Sequence, residues 1–399
     1  MIAIARRLAT YDVSPEFSAK VRRTFLSPLG VLLAAGAVAT LAGLVVHPRV
    51  FALAGGVLAV AAVGVCWPWL TARAVRAAVR FDRPRTTEGG EVGVTATVTN
   101  PLPWPAWGLT VTDDKAGASV RLPAVRGRSA CECRWVFAPL LRGIYPASVP
   151  TVRTGFPFGL WHSRRSAAVE SELIAWPRTY PVGPVPTTDG EDVVEGNVTR
   201  SKVGTTGDVL GVRPYRRGDS PRRIHWAQSA RHDRLIVCEL QSNSRPVVRI
   251  VVDLDPAVHT AGSDGTREWA IRVAASLATG WLADGAQVGL TAGDVSLPAT
   301  AGAAQATRIL DALARVGDTG PSPAAVPGDR STVTVVVTTD AAHAPPNRHA
   351  DTRRVVLERA GFGGDQTQLV TGTPWLRLSS PAELPDQLRH GTGEASHGS

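Results

Sequence analysis

Three groups of side chains have the types and spacing for chemistry. The first is acidic. Asp253 and Asp255 follow the apolar run 246–252, and Asp340 follows the apolar run 332–338. Carboxylates converging at the ends of two strands can hold Mg²⁺ through oxygen ligands. The second is Ser229, flanked by His225 and His232. A serine nucleophile needs a base and an acid that orients it, and no acid stands at triad geometry in this local segment. That pair reads as coincidence. The third is the stretch 213–239, RPYRRGDSPRRIHWAQSARHDRLIVCE, which is dense in arginine. Arginine forks suit bidentate pairing with carboxylate or phosphate.

The arginine stretch is not a solvated tail. Tyr215, Ile224, Trp226, Leu235, Ile236 and Val237 alternate with the charges, and such residues call for burial. Gly218-Asp219 supplies a turn in the middle. The segment is therefore expected to fold against something and to position its arginines. From Arg200 to Arg234 there are nine Arg or Lys against three Asp, an excess of six. Internal pairing of Asp219, Asp233 and Glu239 with Arg213, Arg223 and Arg231 leaves a surplus. That surplus fits an acidic partner surface better than lipid headgroups or nucleic acid, because net charge supports only non-specific nucleic acid binding. The basicity of the whole chain (net +9) is almost all arginine, with Lys20, Lys115 and Lys202 the only lysines. With so much Ala, Gly, Val and Pro, this is read as a compositional bias.

Catalytic signatures are missing from the sequence. It contains no H-E-x-x-H, P-loop, G-x-S-x-G or dinucleotide fingerprint. The four cysteines, Cys66, Cys131, Cys133 and Cys238, are scattered, and C-x-C alone is a weak metal signal. They read as reduced, buried thiols in a reducing compartment.

These residues must be carried by several elements. The runs 28–46 and 50–70 are apolar and uncharged, each near the length that crosses a bilayer, with 47–49 as a hairpin. Five basic residues precede the first run (Arg6, Arg7, Lys20, Arg22, Arg23) and five follow the second (Arg73, Arg76, Arg80, Arg83, Arg85). Only Arg49 lies between. Both ends are thus expected inside, as a multi-pass protein of the inner (plasma) membrane whose soluble parts face the cytoplasm. The expected layout is a basic N-terminus at 1–27, two transmembrane helices at 28–72, a β-sandwich at 86–177 and a linker at 178–212. The signature segment and an α/β domain then occupy 213–390, and a disordered tail 391–399. Period-two stretches with Pro/Gly turns, such as 91–99 and 131–137, predict an immunoglobulin-like antiparallel sandwich. Its loop 155–161, GFPFGLW, is expected to plug the end of the sandwich. Strand–helix alternation after residue 246 predicts a doubly wound parallel sheet. Ligands of such sheets gather at the carboxyl ends of the strands.

The pattern Arg213-x-Tyr215-x-x-Gly218-Asp219-x-x-Arg222-Arg223-Ile224-His225-Trp226-x-x-Ser229-Ala230-Arg231, followed by Leu235-x-Val237-x-Glu239, resembles the signature of the domain of unknown function 58 family. Leu141-Arg142-Gly143-x-Tyr145 and Phe156-Pro-Phe-Gly-Leu160 are similar to it as well. The resemblance implies a von Willebrand factor A-like domain after the sandwich. It implies a bacterial membrane protein that acts beside a MoxR-type AAA+ ATPase and a transglutaminase-like membrane partner. It implies no established enzymatic activity. The metal-binding form of that fold carries D-x-S-x-S, where this chain has Asp253-Leu254-Asp255-Pro256-Ala257. Asp255 can still ligate, and Ala257 cannot.

The reading is therefore a non-enzymatic, membrane-anchored adaptor or assembly factor without a required cofactor. Its partner-binding residues are Arg213, Tyr215, Arg216, Arg217, Asp219, Arg222, Arg223, Trp226 and Arg231. The alternative is a divalent-metal-dependent ligand-binding module that holds Mg²⁺ through Asp253, Asp255 and Asp340.

Overall fold

A computed structural model of the chain describes residues 27–45, 47–115, 117–186, 202–216, 221, 224–242, 246–260, 262, 264–317, 332–342, 352–364 and 374–394. The basic N-terminus (1–26) and the last five residues lie outside them. The chain divides into two compact units, 1–175 and 176–399.

The first unit opens with two apolar helices, α1 (Pro28–Val45) and α2 (Val50–Ala74), both long and apolar enough to cross a membrane. Small residues set their packing: Gly36 meets Leu58 and Gly43 meets Phe51, so a methyl at either glycine would stand about 3.1 Å from its partner. The outward-facing residues of both helices are apolar except Arg73 in the last turn of α2. Cys66 is among them, which corrects the expectation of a buried thiol. Cys131, Cys133 and Cys238 are free and half-buried.

The β elements begin earlier than the sequence suggests. Strand β1 (Arg76–Phe81) starts one residue after α2 ends, with Val75 the only residue between. Its alternation of Arg76 and Arg80 with buried Ala77, Val79 and Phe81 hides a half-buried strand inside an apparent basic flank. It pairs antiparallel with β3 (Val92–Asn100), which pairs antiparallel with β6 (Ser129–Phe137). The short β10 (Ala168–Val169) adds to β1 in parallel. A second sheet holds β5 (Ala118–Arg121), β4 (Leu109–Asp113), β8 (Thr151–Thr154) and β9 (Ser163–Ser166) in that order, all antiparallel. A third joins β2 (Arg85–Thr87), β11 (Leu173–Trp176) and β7 (Gly143–Tyr145). One apolar core unites them, from Val79, Val94 and Ala96 on one sheet to Leu109, Val111 and Val152 on another, with Tyr145 and Leu173 from the third. Burial raises the Tyr145 pKa above its ordinary value, and its hydroxyl donates to the Leu141 carbonyl at 2.9 Å.

In the second unit, 176–186 packs against the α/β core: Trp176 Nε1 donates to Asp311 and the Tyr180 amide to Ser276. The expected linker 178–212 is thus occupied at both ends, because 202–214 forms strand β12 (Lys202–Pro214). Its partner is β13 (Ile236–Ser242), in an antiparallel ribbon with two register shifts. Between them lies α3 (Trp226–His232).

The main sheet contains β14 (Val247–Val252), β15 (Gln287–Ala292), β16 (Val295–Thr300), β17 (Thr332–Thr339), β18 (Thr352–Leu357) and β19 (Leu376–Leu378). Their order is β16-β15-β14-β17-β18-β19. All neighbours are parallel except the edge strand β16. Helix α4 (Thr266–Ala283) packs on β14, β15 and β17, and α5 (Ala303–Arg315) on β15 and β16. Helix α6 (Leu384–Glu394) rests against β19. The valine-rich runs of β14, interrupted by Arg249, and of β17, with its threonines, suit strands at the centre of such a sheet. Trp281 is fully buried beneath them, its indole NH reaching the Gly183 carbonyl.

Candidate functional site: the signature segment and the acidic strand ends

The signature segment is held by its backbone and by one serine. The Tyr215 amide donates to Leu235, the His225 amide donates to Ile236, and Ile224 bridges Val237. These bonds fold 224–235 back onto the ribbon. Ser229 is buried at the junction. Its hydroxyl donates to the His225 carbonyl at 3.0 Å and accepts from the Ile236 amide at 2.9 Å. The His225 imidazole does not serve this hydroxyl. Its Nδ1 accepts the Gln228 amide and caps α3. Asp233 closes the helix in the left-handed conformation at φ 49°. The Ser/His pattern is thus a helix–strand tie.

Burial divides the interleaved apolar residues. Ile236 and Val237 are buried as the sequence predicts. Trp226 does the opposite: 68% of its surface is exposed, and Leu235 is also exposed. At the first position of a short helix, the indole points away from the ribbon. Arg216, Arg231, His232 and Arg234 are exposed around this segment. Arg213 is half-buried and donates to the Pro214 carbonyl, and Tyr215 is half-buried. Arg217, Asp219, Arg222 and Arg223 lie outside the described residues.

The acidic residues stand at the carboxyl ends of β14 and β17, the central pair of the sheet. From this pair the chain order runs outward in both directions, as at the switch point of a doubly wound sheet. Asp253 is buried. Its Oδ1 accepts the Asp255 amide at 3.1 Å and its Oδ2 accepts the Thr338 hydroxyl at 2.9 Å. Asp255 accepts the Ala257 amide at 2.9 Å. Asp340 faces the guanidinium of Arg359 at 3.5 Å, both side chains largely withdrawn from solvent. His259 closes the corner, with Nε2 at 2.8 Å from the Asp253 carbonyl and Nδ1 at 3.1 Å from the Thr266 hydroxyl. A carbonyl only accepts, so Nε2 carries the proton and Nδ1 accepts from Thr266. Desolvation lowers the His259 pKa below its ordinary value, partly opposed by that bond to the Asp253 backbone and by the Asp253 charge. Sequence reasoning missed Thr338, His259 and Arg359, because their signal lies in tertiary packing and not in any motif.

This set does not fit a divalent ion as it stands. Among the described residues, no three His, Cys, Asp or Glu side chains form a metal-holding group. Protein donors already occupy both Asp253 oxygens, and a cation stands against Asp340.

Residues 211–358, which run from the ribbon through β18, match the family model described as "Protein of unknown function DUF58". Over these residues the chain carries a DUF58 match, in line with the signature at 213–239. The DUF58 match thus takes in α3, the acidic strand ends and the central strands of the sheet. Curated proteins give no match. Among solved structures, one that matches is the Pseudomonas fluorescens alkylpurine DNA glycosylase AlkC bound to abasic-site DNA. It is 14% identical over 40% of this chain and 54% of its own length, with a TM-score of 0.17. Another is the Vibrio harveyi GH20 exo β-N-acetylglucosaminidase with N-acetylglucosamine, 10% identical over 51% of this chain and 37% of its own, with a TM-score of 0.18. The chain therefore spans about half of the first and little more than a third of the second. Overlaps at these scores carry no argument about function.

Proposed function

We propose that this chain is a non-enzymatic adaptor, anchored in a bilayer by α1 and α2, that recruits a protein partner through its signature segment. The exposed Trp226 among exposed arginines carries the reading. A large aromatic held out by a folded segment costs solvation, and Trp and Arg dominate the energetics of protein interfaces. The partner has an acidic surface, and a MoxR-type AAA+ ATPase is the expected one, with a transglutaminase-like membrane protein in the same assembly. The second unit is read as a von Willebrand factor A-like domain. Its strand order, with one antiparallel edge, supports this. The first unit's β elements are read as an immunoglobulin-like sandwich, supported by the shared core of its sheets. Positive flanks on the outer ends of the two helices support a cytoplasmic side for both units.

Affinity capture from native membranes tests the reading. Truncation of an interface Trp costs about 2 kcal/mol or more, roughly a thirtyfold loss of affinity. Trp226→Ala is expected to lose the ATPase while the protein remains folded, because the indole contributes little to its own unit's core. Undiminished capture by Trp226→Ala would refute docking through this segment.

A further inference from the structure

The loop 155–161 does not plug its sandwich. Phe158 is 52% exposed and Trp161 is 49% exposed. What the loop does touch is α2. A methyl at Gly64 would stand 2.5 Å from Leu160 Cδ1, so the glycine leaves the notch in which Leu160 sits. Other aromatics gather at the same end of the unit. The Trp67 ring of α2 lies tilted against Trp104 at 5.4 Å, Trp107 lies 5.1 Å from Phe156, and Trp69 carries the Arg73 guanidinium 5.2 Å above its ring.

The helix pair fixes the level of this cluster. The contacts Gly36–Leu58 and Gly43–Phe51 share one antiparallel register, which sets the first residue of α1, Pro28, level with Cys66. The two-helix part therefore ends at about Cys66. At about 1.5 Å per residue, the 18 residues of α1 span about 27 Å, close to the hydrocarbon thickness of a bilayer. Gly64 and Leu160 then lie at the edge of the hydrocarbon, and Trp67 and Trp69 at the headgroup level. Arg73 and Arg76 lie outside it. Arg164 and Arg165 follow the loop on β9, and Arg165 donates to the Arg73 carbonyl. Apolar rings at the hydrocarbon edge beneath a collar of arginines match the layering of an anionic membrane surface.

We infer that the loop 155–161 is a third membrane contact, a wedge that seats Phe158 and Trp161 in the lipid interface beside α2. This rests on the reading of α1 and α2 as a membrane anchor. The occupant is lipid. The exposed rings continue the apolar surface of a helix that already faces acyl chains, and the neighbouring charges complement phosphate. The wedge would hold the first unit against the bilayer instead of leaving it hanging from one helix.

Depth-dependent quenching tests it. The full chain, with its four cysteines replaced by alanine, receives one reporter cysteine at a time and an environment-sensitive fluorophore. It is reconstituted into vesicles of phosphatidylcholine and phosphatidylglycerol. The reporters are Phe158→Cys, Trp161→Cys, Val60→Cys in α2 and Lys115→Cys. Lys115 is exposed at the far end of β4, whose near end, Leu109, pairs with Thr154 at the loop. Labels at Phe158 and Trp161 should lose most of their emission to lipids with a quencher near the headgroup, and less to lipids quenched near the acyl terminus. Val60 should show the reverse order and Lys115 no quenching. Val60 quenched with Phe158 and Trp161 untouched overturns the wedge and leaves the anchor standing. Val60 untouched overturns the anchor itself. Quenching at Phe158 equal to that at Lys115, as for a loop docked on a protein partner, also overturns the wedge.

Discussion

The hydrogen bond between Thr338 and Asp253 gives the sharpest test of how the acidic strand ends are held. Both side chains are buried, and the Thr338 hydroxyl donates to Asp253 Oδ2 at 2.9 Å. Thr338→Val keeps the shape and removes the donor. The carboxylate keeps the Asp255 amide on Oδ1, but Oδ2 loses its proton donor in a site closed to water. Hydrogen bonds to charged groups contribute about 1.5–3 kcal/mol. For a unit of this size, each kcal/mol moves the melting point by about 2–4 °C, so a loss near 2 kcal/mol gives roughly 4–8 °C. Thermal melts of the full chain in detergent, followed by near-UV circular dichroism from Trp269 and Trp281, read this directly. Thr338→Ser, which keeps the hydroxyl, should recover most of the loss. The deficit should be the same with chelator and with millimolar Mg²⁺. A valine variant that melts with the parent would show that Thr338 does not hold Asp253. A deficit erased by Mg²⁺ would show that the acids bind metal, and the satisfied-corner account would fail.

Two further outcomes follow from the same geometry. The lowered pKa of His259 means that the unfolded state takes up its proton more readily. Its stabilisation is complete above the unfolded value of about 6.5 and is lost as pH falls below it. Asp253, Asp255 and Arg267 act on the same ring. His259→Gln should flatten the stability profile between neutral pH and pH ~5, and an unchanged slope would remove His259 as its source. Ser229→Ala leaves the buried Ile236 amide without its acceptor, a cost of about 1–3 kcal/mol. Hydrogen exchange at that amide should accelerate about tenfold or more, and unaltered exchange would show that the serine does not tie α3 to β13.

Much of the second unit was legible because its signals are long. The run 246–252 gives β14, the apolar spacing from Trp269 to Trp281 gives α4, and the run 332–338 gives β17. Edge elements were not legible. Strand β16 carries Pro298, which only an edge strand tolerates, and β19 has three residues. The polar, glycine-rich β12 lacks an apolar run and is irregular in register, so it resembles a linker in sequence. In the first unit, β1 was hidden because its exposed face is arginine, and charge counting masked its alternation. The acids Asp253, Asp255 and Asp340 were visible at the strand ends, whereas no motif marks their partners: Thr338 reaches Asp253 across 85 residues, and His259 and Arg359 lie in short turns outside the strands. The exposure of Trp226 was not legible, because hydrophobicity alone cannot separate a core residue from one presented to a partner.

The junction at Val75 has a mechanical consequence. With α2 passing into β1 through one residue, the helix works as a drive shaft and not as a tether. A helix turns by about 100° per residue, so removing one residue from the stretch between Trp69 and Arg73 would swing the attached β elements by roughly that angle about the helix axis. Twisting α2 against α1 would likewise be handed to the sheet without slack. Anything that rotates these helices thereby re-aims the strands built on β1.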